Sequence, residues 1–341
     1  MAEVTTRSLK NERTILRDVV PVDTPFLLGI FLGDICNFKC KYCIQSADES
    51  VEEKKQLVRK FLEWETFLKI ADSAKQFPKK IKTVLLTSIG EPLLHPEIVK
   101  MLEYMNRIGL ADNYEIITNA SMLSVDLGRQ LVDAGLTRLC VSLQGLTAEK
   151  YKDVCGVEID YDAFYQNLKS FYEYSRGKCS VHIKTVDLSL EDGEEDAFLK
   201  LYGPICDTIY IDKVAPVFKG VDYSGIVLDG EPYTEDKYRQ NAAVCCSSIF
   251  YTLYTLADGR IAPCCDHPQP VIYGDINQTG LVEAWSSENR KRFLRQHLTH
   301  KRCENGICAQ CAAPLVREFD SDKLDGCEEA ILARLEGGIF H

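Results

Sequence analysis

Six short β-rich runs, alternating with five longer amphipathic stretches, set the strongest limit on how this chain can fold. The runs are Phe26–Gly33, Lys82–Thr87, Tyr114–Thr118, Arg138–Leu143, Cys179–Asp187 and Asp207–Asp212, all rich in Val, Ile, Leu, Thr or aromatic residues. Between them Glu52–Gln76, Pro96–Ile108, Val125–Ala134, Asp160–Tyr174 and Glu194–Tyr202 repeat apolar residues with the period of a helix. Gly109, Gly135 and Gly177 follow three of these, where a left-handed C-terminal cap favours glycine. Such alternation predicts an α/β fold with a parallel sheet and right-handed crossovers, either doubly wound or closed toward a barrel.

Residues 1–22 read as a polar lead-in and 23–225 as the β/α domain. From about Val221 the texture changes to turns and clustered cysteines, so 226–341 reads as a smaller second domain, with a charged tail from Arg317. A chain of 341 residues, 45% of them hydrophobic and 27% charged, can bury the core that such a soluble protein needs. The formal net charge of -11 supplies no broad basic surface, so nucleic acid is not an expected partner. No signal-peptide-like run opens the sequence, and no window approaches the roughly 18 apolar residues that span a bilayer. We therefore expect no membrane partner and a cytoplasmic location. In that reducing setting 15 cysteines point to metal binding rather than disulfides, and their odd number rules out complete pairing.

The run Cys36-Asn37-Phe38-Lys39-Cys40-Lys41-Tyr42-Cys43 places three thiols directly after the first strand. Three such thiolates can wrap one face of a cubane cluster and leave its fourth iron without a protein ligand. Structural zinc, which takes four protein ligands, fits a lone CxxxCxxC poorly, and Lys39 and Lys41 indicate a loop rather than a buried strand end. CxxxCxxC with an aromatic residue before the last cysteine resembles the signature of the radical S-adenosylmethionine (SAM) superfamily. The resemblance implies a partial (β/α)6 TIM-type barrel with a [4Fe–4S] cluster on Cys36, Cys40 and Cys43. It further implies SAM chelated to the open iron and Tyr42 near the adenine.

In a parallel barrel the site is assembled from the C-terminal strand ends, and these ends carry polar groups here. Ser88-Ile89-Gly90-Glu91-Pro92 resembles the family's Gly-Gly-Glu segment, with Ser88 and Ile89 departing from its glycine-rich form. By that resemblance Glu91 would accept hydrogen bonds from the methionine ammonium, and Gly90 would allow close backbone approach. Asn119, Ser142 and Lys184 are the candidates for contacts to the SAM ribose and carboxylate; ordinary strand-end polarity is the alternative. The segment Ser142–Asn167 also resembles one branch of the superfamily. Cys140 shares the strand face of Ser142 and is a candidate hydrogen-atom donor to a substrate radical. Cys155, Cys179 and Cys206 read as small buried hydrophobes.

The C-terminal region holds Cys245, Cys246, Cys264, Cys265, Cys303, Cys308, Cys311 and Cys327. Cys246, Gly259 and Cys264 have the spacing that opens a SPASM domain, an auxiliary-cluster module of radical SAM enzymes. Gly274-Asp275-Ile276, a helix-like Leu281–His297 and Cys308-Ala309-Gln310-Cys311 continue the resemblance. Because the closing pattern is shorter than a full SPASM motif, the expectation is one auxiliary [4Fe–4S] cluster on Cys246, Cys264, Cys308 and Cys311. Cys245 and Cys265 then read as neighbours and Cys303 as the substitute ligand. A zinc ribbon is the alternative for these cysteines.

The resemblance implies reductive cleavage of SAM to a 5′-deoxyadenosyl radical, which removes a hydrogen atom from a substrate. An auxiliary cluster would favour oxidative outcomes, and a flavodoxin or ferredoxin would supply the electron. A sugar-like small molecule or a peptide is the expected substrate; so few residues precede the first strand that a leader-binding domain is not expected there. The alternatives are an epimerase or other non-oxidative radical enzyme with a structural auxiliary cluster, and a zinc-ribbon binding protein. A zinc hydrolase is disfavoured because the six histidines form no HExxH pair.

Overall fold

The computed structural model describes residues 2–4, 13–214, 217–218, 220–223, 227–228, 231–232, 244–311, 313–314 and 318–341. Its strands are β1 (Glu3–Val4), β2 (Leu27–Phe31), β3 (Ile81–Thr87), β4 (Ala111–Thr118), β5 (Arg138–Leu143), β6 (Ser180–Val186), β7 (Thr208–Asp212), β8 (Thr252–Thr255), β9 (Arg260–Ala262) and β10 (Gly274–Asp275). They form one sheet in the order β1-β7-β6-β5-β4-β3-β2-β8-β9-β10. Every neighbouring pair from β1 through β8 is parallel, and β8, β9 and β10 form an antiparallel extension. The six expected β/α units are β2 to β7, a partial TIM-type barrel. A separate antiparallel pair joins Val227–Leu228 to Glu231–Pro232.

The helices are α1 (Trp64–Ala74), α2 (Ile98–Arg107), α3 (Val125–Asp133), α4 (Ala148–Cys155), α5 (Tyr161–Ser175), α6 (Glu195–Tyr202), α7 (Leu281–Ser286), α8 (Glu288–Leu298) and α9 (Glu328–Glu336). Their starts are chemically marked. Ser124, Thr147, Asp160 and Ser287 each accept a hydrogen bond from the backbone N–H three residues on, satisfying a donor the helix itself leaves unpaired. Gly109, Gly135 and Gly177 all have positive φ, as expected of left-handed caps.

Three segments differ from the periodicity. Glu52–Gln76 is not one helix: a single turn at Glu52–Lys55 and α1 are separated by extended chain. That chain is recruited to cover the end of β2, with Val58 N–H donating to the Asp34 carboxylate (2.7 Å) and Leu62 N–H to Leu32 C=O (3.0 Å). Tertiary pairing overrides local propensity there. Leu281–His297 is broken at Ser287, whose backbone is extended and whose hydroxyl caps α8. Helix α4 was not expected, although Thr147 caps its start and Gly156, at φ 69°, ends it.

The sheet also runs through the boundary expected near residue 225. Leu253 of β8 pairs with Leu28 of β2, and one apolar core contains Leu28, Leu253, Leu294 and Leu335. The lead-in joins this core: Leu16, Val20 and Val22 are buried, Trp285 Nε1 donates to Val22 C=O (3.0 Å), and Asp23 N–H donates to His341 C=O (3.1 Å). Among the described residues no helix is long and apolar enough to cross a membrane.

Alternate residues of β5 and β6 face opposite sides. Leu139, Val141, Val181 and Ile183 enter the core under the helices, so Arg138, Cys140, Ser142, His182 and Lys184 face the barrel lumen. His182 is buried between Thr208 and Ser180 hydroxyls (2.5 and 3.1 Å), and burial, with Arg138 nearby, lowers its pKa to about 4. The unfolded chain therefore binds a proton that the native state refuses between about pH 6.5 and 4, and stability rises with pH across that window. Acidification below pH 6.5 should cost about 1.4 kcal/mol per pH unit from this residue. Thermal unfolding of the wild type and His182→Gln from pH 7.5 to 5 should show a smaller fall in Tm for the variant.

Candidate functional site

The loop from Asp34 to Gln45 leaves β2 at its C-terminal end and is tied down from several directions. Gln45 Nε2 donates to the carbonyls of Asp34 (3.0 Å) and Ile89 (2.6 Å). Lys39 and Lys41 N–H groups donate to Cys155 and Val154 carbonyls at the end of α4 (3.0 and 2.9 Å), and Phe38 is buried edge-on against Tyr151. The helix missed in the sequence is thus the platform for this loop. Cys36, Cys40 and Cys43 are all half-buried on it. Burial pushes the Cys36 thiol up to about 12 and the Cys43 thiol to about 11, while the Cys40 thiol is raised first by its contact with Cys155 and then by burial. Such thiols ionise when a metal replaces the proton, the behaviour expected of cluster ligands. Cys155, read as a plain buried hydrophobe, has its Sγ 3.7 Å from Cys40 Sγ.

Gly90 lies flat against the same loop. A Cβ on it would sit 2.2 Å from Ile35 O, and the next residue's N–H donates to that oxygen (2.9 Å), so the close approach it permits is between two backbones. Glu91 is 3% exposed and accepts three hydrogen bonds from its own chain: Thr118 Oγ1 (2.5 Å), Asn119 N–H (2.7 Å) and Leu93 N–H (2.9 Å). Burial raises its pKa and these bonds pull it back. A carboxylate has about four lone-pair directions, so one on Oε2 stays open for an ammonium group. The larger part of Glu91 is to lock the β3 and β4 ends together.

Asn119 donates to Asn37 Oδ1 (3.1 Å) inside the cysteine loop and accepts from Ser121. Tyr42 donates to Gln144 Oε1 (2.5 Å) at the end of β5. Thr118 pairs with Val141 and Ser142 with Lys184, so Asn119, Ser142 and Lys184 stand at one level around the strand ends. Lys184 Nζ is 3.9 Å from Asp212, and Glu115 and Arg138 lie 3.7 Å apart deeper in the lumen. Cys140 is buried at the level of His182, its thiol pushed up to about 11 by burial.

The second constellation forms a cavity of about 160 Å³ lined by Cys246, Cys264, Cys308 and Cys311, the expected four, and by Cys265 beside them. Cys245 is fully buried outside the lining, and Cys303 is exposed and outside it too. Burial raises all four thiols, Cys246 to about 11 and Cys308 to about 12. Arg302, 2% exposed, donates to Cys311 C=O (2.7 Å) and favours the thiolates of Cys246 and Cys308. Asp266 opposes it and accepts from the Cys311 thiol. His297, also in the lining, is fully buried, with its pKa lowered to about 3 by burial and then by Arg302. Neither Arg302 nor His297 carries a sequence signal that separates it from the charged face of a helix. Among the described residues no three His, Cys, Asp or Glu side chains converge as they would around one metal ion.

The cysteine loop and its supporting strands fall within residues 30–200, which match the sequence profile of the Radical SAM superfamily. Residues 245–312 match that of SPASM, an iron–sulfur cluster-binding domain. The chain is 33% identical over 143 residues to a probable GTP 3′,8-cyclase of Saccharolobus islandicus (strain L.S.2.15 / Lassen #1), 42% of each protein. It is 25% identical over 205 residues to the GTP 3′,8-cyclase of Clostridium perfringens (strain 13 / Type A), 58% of each. The chain thus spans less than two thirds of these curated relatives. Its fold is similar to that of Streptococcus suis SuiB bound to S-adenosylmethionine (TM-score 0.59, 16% identity, 88% of this chain and 76% of the other). It is also similar to BtrN in complex with AdoMet and 2-DOIA (TM-score 0.54, 15% identity, 87% and 97%). The profile match over half the chain, on the strands that carry the cysteine loop, makes this protein a member of the radical SAM superfamily of enzymes, with a C-terminal iron–sulfur cluster-binding domain.

Proposed function

We propose that this enzyme is a SAM-dependent oxidoreductase acting on a small, hydroxylated, sugar-like molecule held in the barrel lumen, with a peptide as the second substrate class. Cys36, Cys40 and Cys43 would hold the SAM-binding cluster, and Cys246, Cys264, Cys308 and Cys311 the auxiliary one. When bound, these groups supply reductive cleavage of SAM to a 5′-deoxyadenosyl radical, hydrogen abstraction and an acceptor for the remaining electron. A flavodoxin or ferredoxin would deliver the first electron.

One observation carries the oxidative reading: the two cysteine sites lie toward opposite ends of the same paired strands. Cys36 follows the C-terminal end of β2, whereas the second cavity is lined by Leu27, the first residue of β2, and by Thr252, its partner on β8. A substrate in the lumen then has a radical source on one side and an electron acceptor on the other. That arrangement favours an oxidative outcome over a non-oxidative one. The chain's own residues position the reactants: Tyr42 with Gln144 beside the adenine, Asn119, Ser142 and Lys184 at the ribose and carboxylate, and Glu91 with its open lone pair at the ammonium.

The lumen's polarity, with Glu115, Arg138, His182 and Asp212 among its groups, suits hydroxyls better than long apolar side chains. A nucleoside triphosphate, as the name of the cyclase relatives would suggest, fits less well. Arg138 and Lys184 each stand within 4 Å of a carboxylate, leaving little unbalanced positive charge for phosphates.

Under a strong reductant the purified enzyme should convert SAM to 5′-deoxyadenosine, and the Cys36→Ala, Cys40→Ala, Cys43→Ala triple variant should not. Its iron content should fall from about eight to about four per chain, the complement of one remaining cubane. One zinc per chain in place of the second set of irons would sink the auxiliary-cluster claim. Gly90→Ala should separate the two loops, cost about 1–3 kcal/mol by overpacking, and release iron from the first site while the second keeps its own. Iron retained at both sites in that variant would show the loop contact to be dispensable.

A further inference from the structure

One residue lining the cavity at the start of β2 carries a buried polar atom that no described residue satisfies. His297 lines it and is fully buried. Its Nδ1 lies 3.3 Å from the backbone N–H of Cys246, which can only donate, so Nδ1 is the acceptor. That bond fixes the tautomer: the hydrogen sits on Nε2. Nε2 is itself buried and has no hydrogen-bond partner among the described residues. Phe293 packs edge-on against the imidazole at 4.9 Å and holds the ring in place. A buried N–H in this state calls for an acceptor, and the cavity into which His297 is built is walled by four thiols.

We propose that His297 is a positioning residue that donates its Nε2–H to a sulfur of the cluster held by Cys246, Cys264, Cys308 and Cys311, and thereby raises that cluster's reduction potential. The inference rests on the reading that these cysteines hold a cluster. Four cysteines already complete its ligation, so the imidazole is not needed on iron. A hydrogen bond to cluster or ligand sulfur draws negative charge outward and favours the reduced form. Arg302, buried on the same cavity, acts in the same direction. Against the opposing Asp266 in the same lining, the pair favours electron acceptance at this site, which an oxidative enzyme requires.

The test uses the full chain carrying the Cys36→Ala, Cys40→Ala, Cys43→Ala background, so that only the second site binds iron. Iron and sulfide content after anaerobic reconstitution first report whether a cluster forms; none would overturn the auxiliary-cluster reading itself. With a cluster present, His297→Phe should shift its midpoint, followed by electron paramagnetic resonance, to more negative potential. The expected change is about tenfold in the reduction equilibrium, about 59 mV for one electron. The same variant should lose an exchangeable proton coupling that the parent shows after reconstitution in deuterated buffer. His297→Gln should retain both properties, because its Oε1 can accept from Cys246 N–H while its Nε2 donates. His297→Leu repeats the deletion in a smaller side chain should the Phe variant not fold. An unchanged potential and proton coupling in the Phe or Leu variant would overturn the role of His297, as would nitrogen coupling of ligand strength in the parent.

Discussion

The parallel pairing of β8 with β2 fixes where chemistry can occur in this protein. Parallel strands run in the same direction, so the turn that enters β8 and the loop that leaves β2 are at opposite ends. Cys246 lies just before β8, and Cys264 follows β9, which returns antiparallel to the same end. Both must therefore gather at the start of β2, away from Cys36. Gly29 permits the pairing side by side with an aromatic ring, since a Cβ there would overlap the Tyr254 ring at 2.1 Å. Tyr254, which lines the second cavity, meets Phe31 edge-on at 5.8 Å in a small apolar cluster.

Both sites share one electrostatic design. Every cysteine assigned as a ligand is held in surroundings that disfavour the free thiolate, mostly by burial. With these seven thiols protonated, metal loading must expel protons to proceed. At the second site Arg302 offsets part of the negative charge that loading creates, and at the first the buried Lys54 does the same for Cys43.

The barrel strands and the two cysteine groups were legible in the sequence because each is local: a β-rich run ends, and its polar residues follow. Asn119, Ser142 and Lys184 fell at one level because the strands pair in parallel with matched ends. What escaped notice depends on contacts distant in sequence. The unwound segment around Val58 is extended because Asp34 and Leu32 claim its amides, and no window of its own residues encodes that. Helix α4 had a threonine cap and a glycine stop, yet its periodicity is short and its place beneath the cysteine loop is a tertiary fact. His297 and Arg302 are two polar residues among many on a charged stretch, and burial alone distinguishes them.

Glu91 shows how a motif residue can hold a site together from behind it. Two of its three internal hydrogen bonds engage Thr118 and Asn119, the residues immediately before Ala120, which sits at φ 59° without being glycine. Left-handed backbone at a residue with a side chain costs about 1 kcal/mol or more and persists where neighbours over-determine it. Here Ala120 N–H donates to Thr118 Oγ1 (2.8 Å), and Ser121 N–H donates to Asn119 Oδ1 (2.9 Å). Asn119 then reaches Asn37, between Cys36 and Cys40. One carboxylate is thereby connected, through a strained turn, to the segment between Cys36 and Cys40. The position of the cysteine loop is set in part by a buried side chain outside it.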